Sequence, residues 1–123
     1  MTQIQNSKQY DLEEKTLLFA KRNRVFIKAL PRTITNIEDC KQLARSSGSV
    51  GANYIEANES FSKKDFVLRT KIARKEVKES RYWLRLVDTN NQEALEKERT
   101  ALIQESTELM NIFGAIIRKS ESK

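Results

Sequence analysis

The chain has 123 residues, of which 33% are charged and 38% apolar, with three glycines and one proline. These proportions predict one all-α domain and exclude an all-β domain, which needs many more turn residues. The net charge of +6 favours polyanionic partners. The absence of histidine removes the commonest general base and metal ligand, and the single cysteine excludes an internal disulfide framework.

The first helix is predicted to begin at Asp11, which forms an apparent capping box with Glu14. Residues 1–10 are polar and lack a capping signal, so we expect a flexible N-terminal tail. This tail has no basic-then-apolar pattern, so we expect no secretory signal. Pro31 ends the apolar pattern, which gives a helix over about 11–30.

The second helix is predicted over about 36–58, because Thr35 and Glu38 form another capping box. Its apolar face contains Gly48 and Gly51, although a glycine costs about 1 kcal/mol relative to alanine inside a helix. Close packing of a neighbouring helix would offset that cost.

We therefore predict a notch that receives another helix. Its residues are Ala44, Ser47, Gly48 and Gly51. A kink or a weak point in the helix is the alternative interpretation. A phosphate-binding loop is excluded, because the two glycines are not followed by the required Gly-Lys-Ser/Thr.

The third helix is predicted to begin after Ser62, which forms a capping pair with Asp65. It covers about 63–87, a turn follows at 88–91, a fourth helix covers about 92–117, and 118–123 form a polar tail. Four helices with short connections predict an antiparallel up-down bundle over 11–117.

A second apolar set on the third helix points away from its core face. It consists of Leu68, Ile72, Trp83 and Leu86. We interpret it as an oligomer interface, because large exposed apolar patches are uncommon on monomers; a wide core face is the alternative. Glu76 and Glu79 lie among this set and need a partner, for which Arg45 and Arg69 are candidates.

A basic stripe covers the remaining face of the third helix. Residues 61–90 contain nine basic and four acidic side chains, which is +5 of the net +6. The candidate nucleic-acid-binding residues are Lys64, Lys71, Arg74, Lys75, Lys78, Arg81, Tyr82 and Arg85. Such a stripe can follow a phosphate backbone, with Tyr82 stacking on a base. A solvated face, with Tyr82 lying over lysine stems, is the alternative.

Other classes of function have little support in the sequence. Neither catalytic residues nor a cofactor or metal site is expected, since no histidine or evident nucleophile is present. No apolar run approaches the ~20 residues of a membrane span, so we expect a cytoplasmic protein without membrane contact. Cys40 is interpreted as a small core residue.

The segment QLARSSGSVGANYIEANESFSKKDFVLRTKIARKEVKESRYWLRL, residues 42–86, resembles the bacterial 23S rRNA-intervening sequence protein family. The shared features include the small residues around Gly51, a carboxylate at Glu56 and the Ser-Lys-Lys-Asp-Phe start at Ser62. Glu79 and Leu86 fit the end of the pattern. The resemblance covers about 11–117.

The resemblance implies an all-helical bundle that assembles into a homo-oligomeric ring, a pentamer, without an established enzymatic activity. A related branch of the family comprises the accessory proteins of diversity-generating retroelements, with which binding of nucleic acid and reverse transcriptase is associated. From residues and resemblance together we expect a non-enzymatic oligomer that binds nucleic acid, preferably RNA, through the basic stripe. The alternative is a scaffold that docks a protein such as a reverse transcriptase.

Overall fold

The computed structural model describes the backbone of residues 2–122 and the side chains of residues 11–122. The described residues form four helices and no strand: α1 (Thr2–Ala29), α2 (Ile34–Asn58), α3 (Lys63–Leu86) and α4 (Glu93–Glu121). The predicted all-α class with four helices is confirmed. Met1 and the side chains of residues 2–10 lie outside the described residues, so the predicted flexibility of residues 1–10 stays a prediction.

The start of α1 differs from the prediction. The helix begins at Thr2, so Asp11 lies within it and does not cap it. Residues 2–10 contain no proline or glycine, and extending an existing helix is far easier than nucleating one. The end of α1 follows the prediction, since Pro31 disfavours helical geometry in the residue before it.

The N-cap of α2 is Thr33, two residues before the predicted Thr35. The Thr33 hydroxyl accepts a hydrogen bond from the Asn36 backbone amide at 3.2 Å. The buried Asn36 amide group also donates to the carbonyls of Pro31 and Asp88 and accepts from the Asp88 amide. These bonds join the α1–α2 and α3–α4 connections, which a capping pattern alone does not reveal.

The predicted N-cap of α3 is confirmed, because the Ser62 hydroxyl accepts from the Asp65 amide at 3.1 Å. The helix ends at Leu86, and Val87 is its C-cap. In the following connection Asn90 and Asn91 both have φ of 56°, a left-handed conformation that asparagine tolerates better than most residues.

The end of α4 also differs from the prediction. The helix continues to Glu121, so residues 118–121 are helical and not part of a tail. Arg118 and Lys119 lie in its last turn, where cations favour the negative end of the helix dipole. This extension places Arg118 and Glu121 beside α3.

The core consists of two apolar clusters, one around Phe19, Tyr54 and Phe113 and the other around Phe26 and Leu102. On each helix, buried polar residues lie between the members of the two clusters: Asn23 on α1, Ser46 and Ser47 on α2, Ser80 on α3 and Ser106 on α4. Ser46 and Ser80 share a hydrogen bond of 2.8 Å. The α3 helix packs against both α2 and α4, while α1 contacts α2 more than α4.

Among residues 2–122, no helix combines the length and apolar character that crossing a bilayer requires.

Candidate nucleic-acid interface

The predicted basic residues all lie on α3, and all except Arg81 are exposed. The structure separates them into three groups along the helix. Lys64 lies near its N-terminal end, while Lys71, Arg74, Lys75 and Lys78 lie in the middle and face α4. Arg81, Tyr82 and Arg85 lie towards the C-terminal end.

A surface groove of about 480 Å³ lies between the middle of α3 and α4. The side chains that line it are Lys71, Arg74, Lys75, Lys78, Gly114, Ile117 and Arg118. This lining, taken within the described part of the chain, contains five cations and no carboxylate. We call this feature the basic groove. Its electrostatic potential favours an anion, because like charges converge and no carboxylate lies among the lining residues.

The wall on α4 combines a small residue with a cation. Gly114 is buried, and a Cβ added there would lie 3.3 Å from Arg118 Nη1 and 3.5 Å from Arg74 Nε. Arg74 Nε also donates to the Met110 carbonyl at 3.3 Å. Both guanidinium groups therefore lie close to the position that a Cβ would take at Gly114.

One acidic residue lies at the edge of the basic groove. The Glu121 carboxylate contacts Lys71 Nζ at 3.0 Å, and both side chains are about half exposed. Such an exposed pair contributes little to stability, so Lys71 can exchange Glu121 for another anion at small cost.

The C-terminal group of the predicted residues is arranged differently. Arg81 is half-buried and donates to the Thr107 hydroxyl on α4 at 3.2 Å. Tyr82 is 54% exposed and packs its ring edge-to-face with Trp83, with 5.0 Å between centroids. Arg81 therefore has a structural contact, while Tyr82 and Arg85 remain accessible.

The opposite flank of α3, facing α2, has its charges paired. Arg45 contacts Glu76 at 3.4 Å and also contacts Glu79, which confirms the predicted pairing for Arg45. The Trp83 indole donates to Glu79 at 3.0 Å. The bond from Trp83, followed by the bond from Arg45, lowers the pKa of Glu79. This flank therefore carries an ion-pair network and not a free acid.

The predicted notch faces α1. A Cβ at Gly51 would lie 2.9 Å from the Thr16 hydroxyl oxygen, and one at Gly48 would lie 3.2 Å from Arg24 Nη2. Arg24 also donates to the carbonyl of the notch residue Ala44 at 3.4 Å. The fourth notch residue, Ser47, is completely buried. At Gly51 the neighbouring helix thus approaches too closely for any side chain to fit without a shift.

The predicted interface residues divide into two pairs. Leu68 and Leu86 are 53% and 50% exposed. Ile72 and Trp83 are half-buried, and Trp83 packs against the core cluster of Phe26. The two leucines are therefore available to a partner, while Trp83 already contributes to the core.

The remaining candidate groups are the single cysteine and the acidic side chains. Burial is the main cause that raises the pKa of the half-buried Cys40 thiol, which keeps it protonated and unreactive at neutral pH. Within the described residues no three acidic or cysteine side chains cluster as metal ligands.

Four helices and a cationic groove define this chain as a small all-α protein with an anion-attracting surface. The model of the family described as 23S rRNA-intervening sequence protein matches residues 8–115. The chain belongs to this family, as the resemblance at residues 42–86 predicted.

A solved structure agrees with this assignment. It is a protein of unknown function from the S23 ribosomal protein family of Bacteroides thetaiotaomicron, 31% identical to this chain. The TM-score is 0.78, and the match covers 90% of this chain and 98% of that chain. No curated protein matches the sequence.

Proposed function

We propose that this protein is a non-enzymatic, oligomeric helical bundle that binds nucleic acid, preferably RNA, in the bacterial cytoplasm. The observation that carries the proposal is the basic groove, in which five cations converge beside the exposed remainder of the α3 stripe. The preference for RNA rests on the family, whose printed description refers to ribosomal RNA.

The charge pattern of the groove suits a phosphate backbone. Arg74 and Arg118 offer planar guanidinium groups that can bind a phosphate through two hydrogen bonds, while Lys75 and Lys78 act as point charges. Each neutralised phosphate releases counterions, so binding must weaken steeply as salt rises. A surface of solvated cations that binds nothing would lack this dependence.

Assembly would strengthen such binding. We propose an antiparallel up-down bundle that forms a homo-oligomeric ring. The contacts of Asn36 with Asp88 and of Arg45 with Glu79 support the antiparallel relation of α2 and α3. Exposed Leu68 and Leu86 support self-association. A ring would repeat the groove, and several weak sites on one particle bind a long polyanion with greater avidity.

Fluorescence anisotropy of a labelled RNA tests the proposed function. The purified protein is titrated at several salt concentrations beside a variant with Lys75, Lys78 and Arg118 each changed to Glu. We expect the wild type to bind with a steep negative salt slope. The variant should lose binding, and any residual slope should be shallower by about 2, the value for three phosphate contacts on a single strand.

A matched control separates the groove from the net charge. Lys21, Lys28 and Arg32 are exposed and lie outside the groove, and changing each to Glu alters the net charge by the same amount. This control should retain RNA binding. Equal losses in both variants would show general charge attraction, and absence of wild-type binding at low salt would refute the proposal. Repeating the titration with the same sequence synthesised as DNA tests the preference for RNA.

Docking of a protein such as a reverse transcriptase is the second candidate function. Tyr82 and Arg85 support it, because both are exposed and because aromatic residues and arginine are enriched at protein interfaces. Leu86, on the same stretch of α3, is half exposed. A wild-type protein that binds no RNA but binds such a partner, and loses it on Tyr82→Ala, would favour this function.

The notch is proposed as the site that allows α1 to approach α2. Changing Gly51 to Leu should lower the free energy of unfolding by about 3 kcal/mol or prevent folding, because even a Cβ would collide with Thr16. Thermal unfolding and oligomer size measure the effect. Ala52→Leu is the control, since Ala52 is the exposed neighbour; equal behaviour of both variants would contradict the notch.

A further inference from the structure

An aromatic side chain outside the predicted stripe is the most exposed large apolar group described in the protein. Phe61 lies between α2 and α3 and is 104% exposed, compared with 84% for Ile34. A phenylalanine exposed to water does not gain the favourable free energy that burial of its side chain would provide. A structural role for Phe61 therefore requires an intramolecular contact.

The usual structural role is absent. Phe61 precedes the N-cap Ser62, and an apolar residue at this position commonly packs against the fourth residue of the helix, here Phe66. Phe66 instead packs against the core cluster that contains Tyr54, while Phe61 is fully exposed. The helix start is thus completed by the Ser62 cap, and the Phe61 ring remains free.

Phe61 immediately precedes a stretch of chain that leads to the basic groove. The α3 start lines a second depression, of about 810 Å³. Its lining is Ser62, Lys63, Lys64, Asp65, Val67, Leu68, Lys71 and Glu121. Lys71 lines both this depression and the basic groove. Lysines therefore recur from Lys78 to Lys64, about 21 Å along α3 at 1.5 Å per residue, with the carboxylates of Asp65 and Glu121 among them. Phe61 lies three residues before Lys64 in the chain.

We infer that Phe61 is a stacking platform for an unpaired base of a single-stranded RNA whose phosphates follow the α3 cations. This inference rests on the proposed function and names the class of nucleic acid. A flat ring beside a cationic track is the arrangement by which proteins bind single strands, because every base has a π-face. Bases inside a duplex are already stacked and cannot reach the ring.

Two substitutions test the ring itself. Phe61→Leu keeps an exposed apolar side chain but removes the π-face, whereas Phe61→Trp keeps a larger π-face. Ile34→Ala is the control, because Ile34 is also exposed and lies at the opposite end of α2, about 36 Å away along the helix. The probes are a labelled unstructured 12-nucleotide RNA and the same RNA in a blunt duplex.

We expect Phe61→Leu to weaken binding of the single strand about tenfold and to leave the duplex within about twofold, because one stacked base is lost. Phe61→Trp should retain affinity. Adding the single strand should quench the tryptophan fluorescence of this variant more than that of the wild type, whose tryptophan is Trp83. Ile34→Ala should bind like the wild type. This combination supports the inference.

Three results would overturn it. In the first, Phe61→Leu binds both RNAs normally, while the variant with Lys75, Lys78 and Arg118 changed to Glu loses binding. The basic groove would then bind phosphates without any stacking on Phe61. Phe61→Leu could weaken both RNAs equally, or change the oligomer size in light scattering, which would make Phe61 a contact between copies. Absence of wild-type binding to either RNA would refute the proposed function and this inference together.

Discussion

Both flanks of α3 carry charged side chains, but they use them in opposite ways. On the α2 side Arg45 contacts Glu76 and Glu79, and Trp83 completes the network. On the α4 side the basic groove gathers five cations without a lining carboxylate in the described part of the chain. The first flank has its charges paired, whereas on the second, among the described residues, only Lys71 contacts a carboxylate, that of Glu121.

The acids of α4 explain the difference. Glu105 pairs with Lys15 at 3.0 Å and Glu98 pairs with Arg22 at 3.4 Å, so these acids neutralise α1 and not α3. Towards α3 the same helix presents Thr107, the Met110 carbonyl, Gly114 and Arg118. Its last residue, Glu121, forms an exposed pair with Lys71 at the edge of the groove. The comparison teaches that charge on a helix face indicates a binding site only where the facing helix does not neutralise it.

We expect the largest effect from a substitution on the flank of α3 that packs against α2, which we call the packed flank. Ser80 is fully buried and hydrogen-bonded to Ser46, so Ser80→Leu overpacks the contact between α2 and α3. We expect a loss of about 2–3 kcal/mol and a melting temperature lower by about 10 °C. Circular dichroism measures the melting. Lys78→Leu, at an exposed position on the same helix, should melt within about 2 °C of the wild type; equal melting of both variants would contradict the comparison.

Substitutions in the basic groove, on the flank of α3 that faces α4, should have a smaller effect. Changing Lys75 and Lys78 to Ala removes two phosphate contacts, so RNA affinity at moderate salt should fall about tenfold and the salt slope should become shallower by about 1.4. The free energy of unfolding should change by less than about 0.5 kcal/mol, since both side chains are exposed.

Lys21→Ala with Lys28→Ala is the matched control for this pair. Both lysines are exposed on α1, away from the groove. An equal loss of RNA affinity in the control, or a large loss of stability in the groove variant, would remove the distinction between the flanks.

The smallest expected effect is a pH dependence on the packed flank. Hydrogen bonds from Trp83 and Arg45 lower the pKa of Glu79 below 4.5, so its contribution to stability exists above pH 4.5 and disappears as pH falls through the lowered pKa. Glu79→Gln should lower the melting temperature by about 2 °C near neutral pH. The difference from wild type should shrink below pH 4.5.

Glu56→Gln is the control for this pH series, because Glu56 is exposed and its side chain has no ion pair among the described residues. Its melting curve should follow the wild type at every pH. A Glu79→Gln difference that stays constant down to pH 2 would contradict the proposed charge contribution.

Local sequence patterns were sufficient to predict the four helices, the family and the cap at Ser62. These features depend on local patterns: apolar periodicity, a proline at 31 and a side chain that satisfies amides within its own turn. The sequence also placed the cations on one face of α3, because helical spacing fixes which side chains lie together. The cost of leaving carboxylates unpaired among apolar residues predicted a basic partner for Glu76 or Glu79 and left Arg45 and Arg69 as candidates, of which the structure shows Arg45 in contact with both carboxylates.

The tertiary structure alone decided which cations have partners and where the helices end. Arg118 was assigned to a polar tail, although α4 continues past it and brings it to Arg74 across Gly114. Thr33, not Thr35, caps α2, and the side chain of Asn36 in its first turn binds the distant Asp88. Phe61 gave no periodic signal, and only the packing of Phe66 into the core showed its ring to be free. These features depend on contacts between residues far apart in the sequence, which local patterns do not encode.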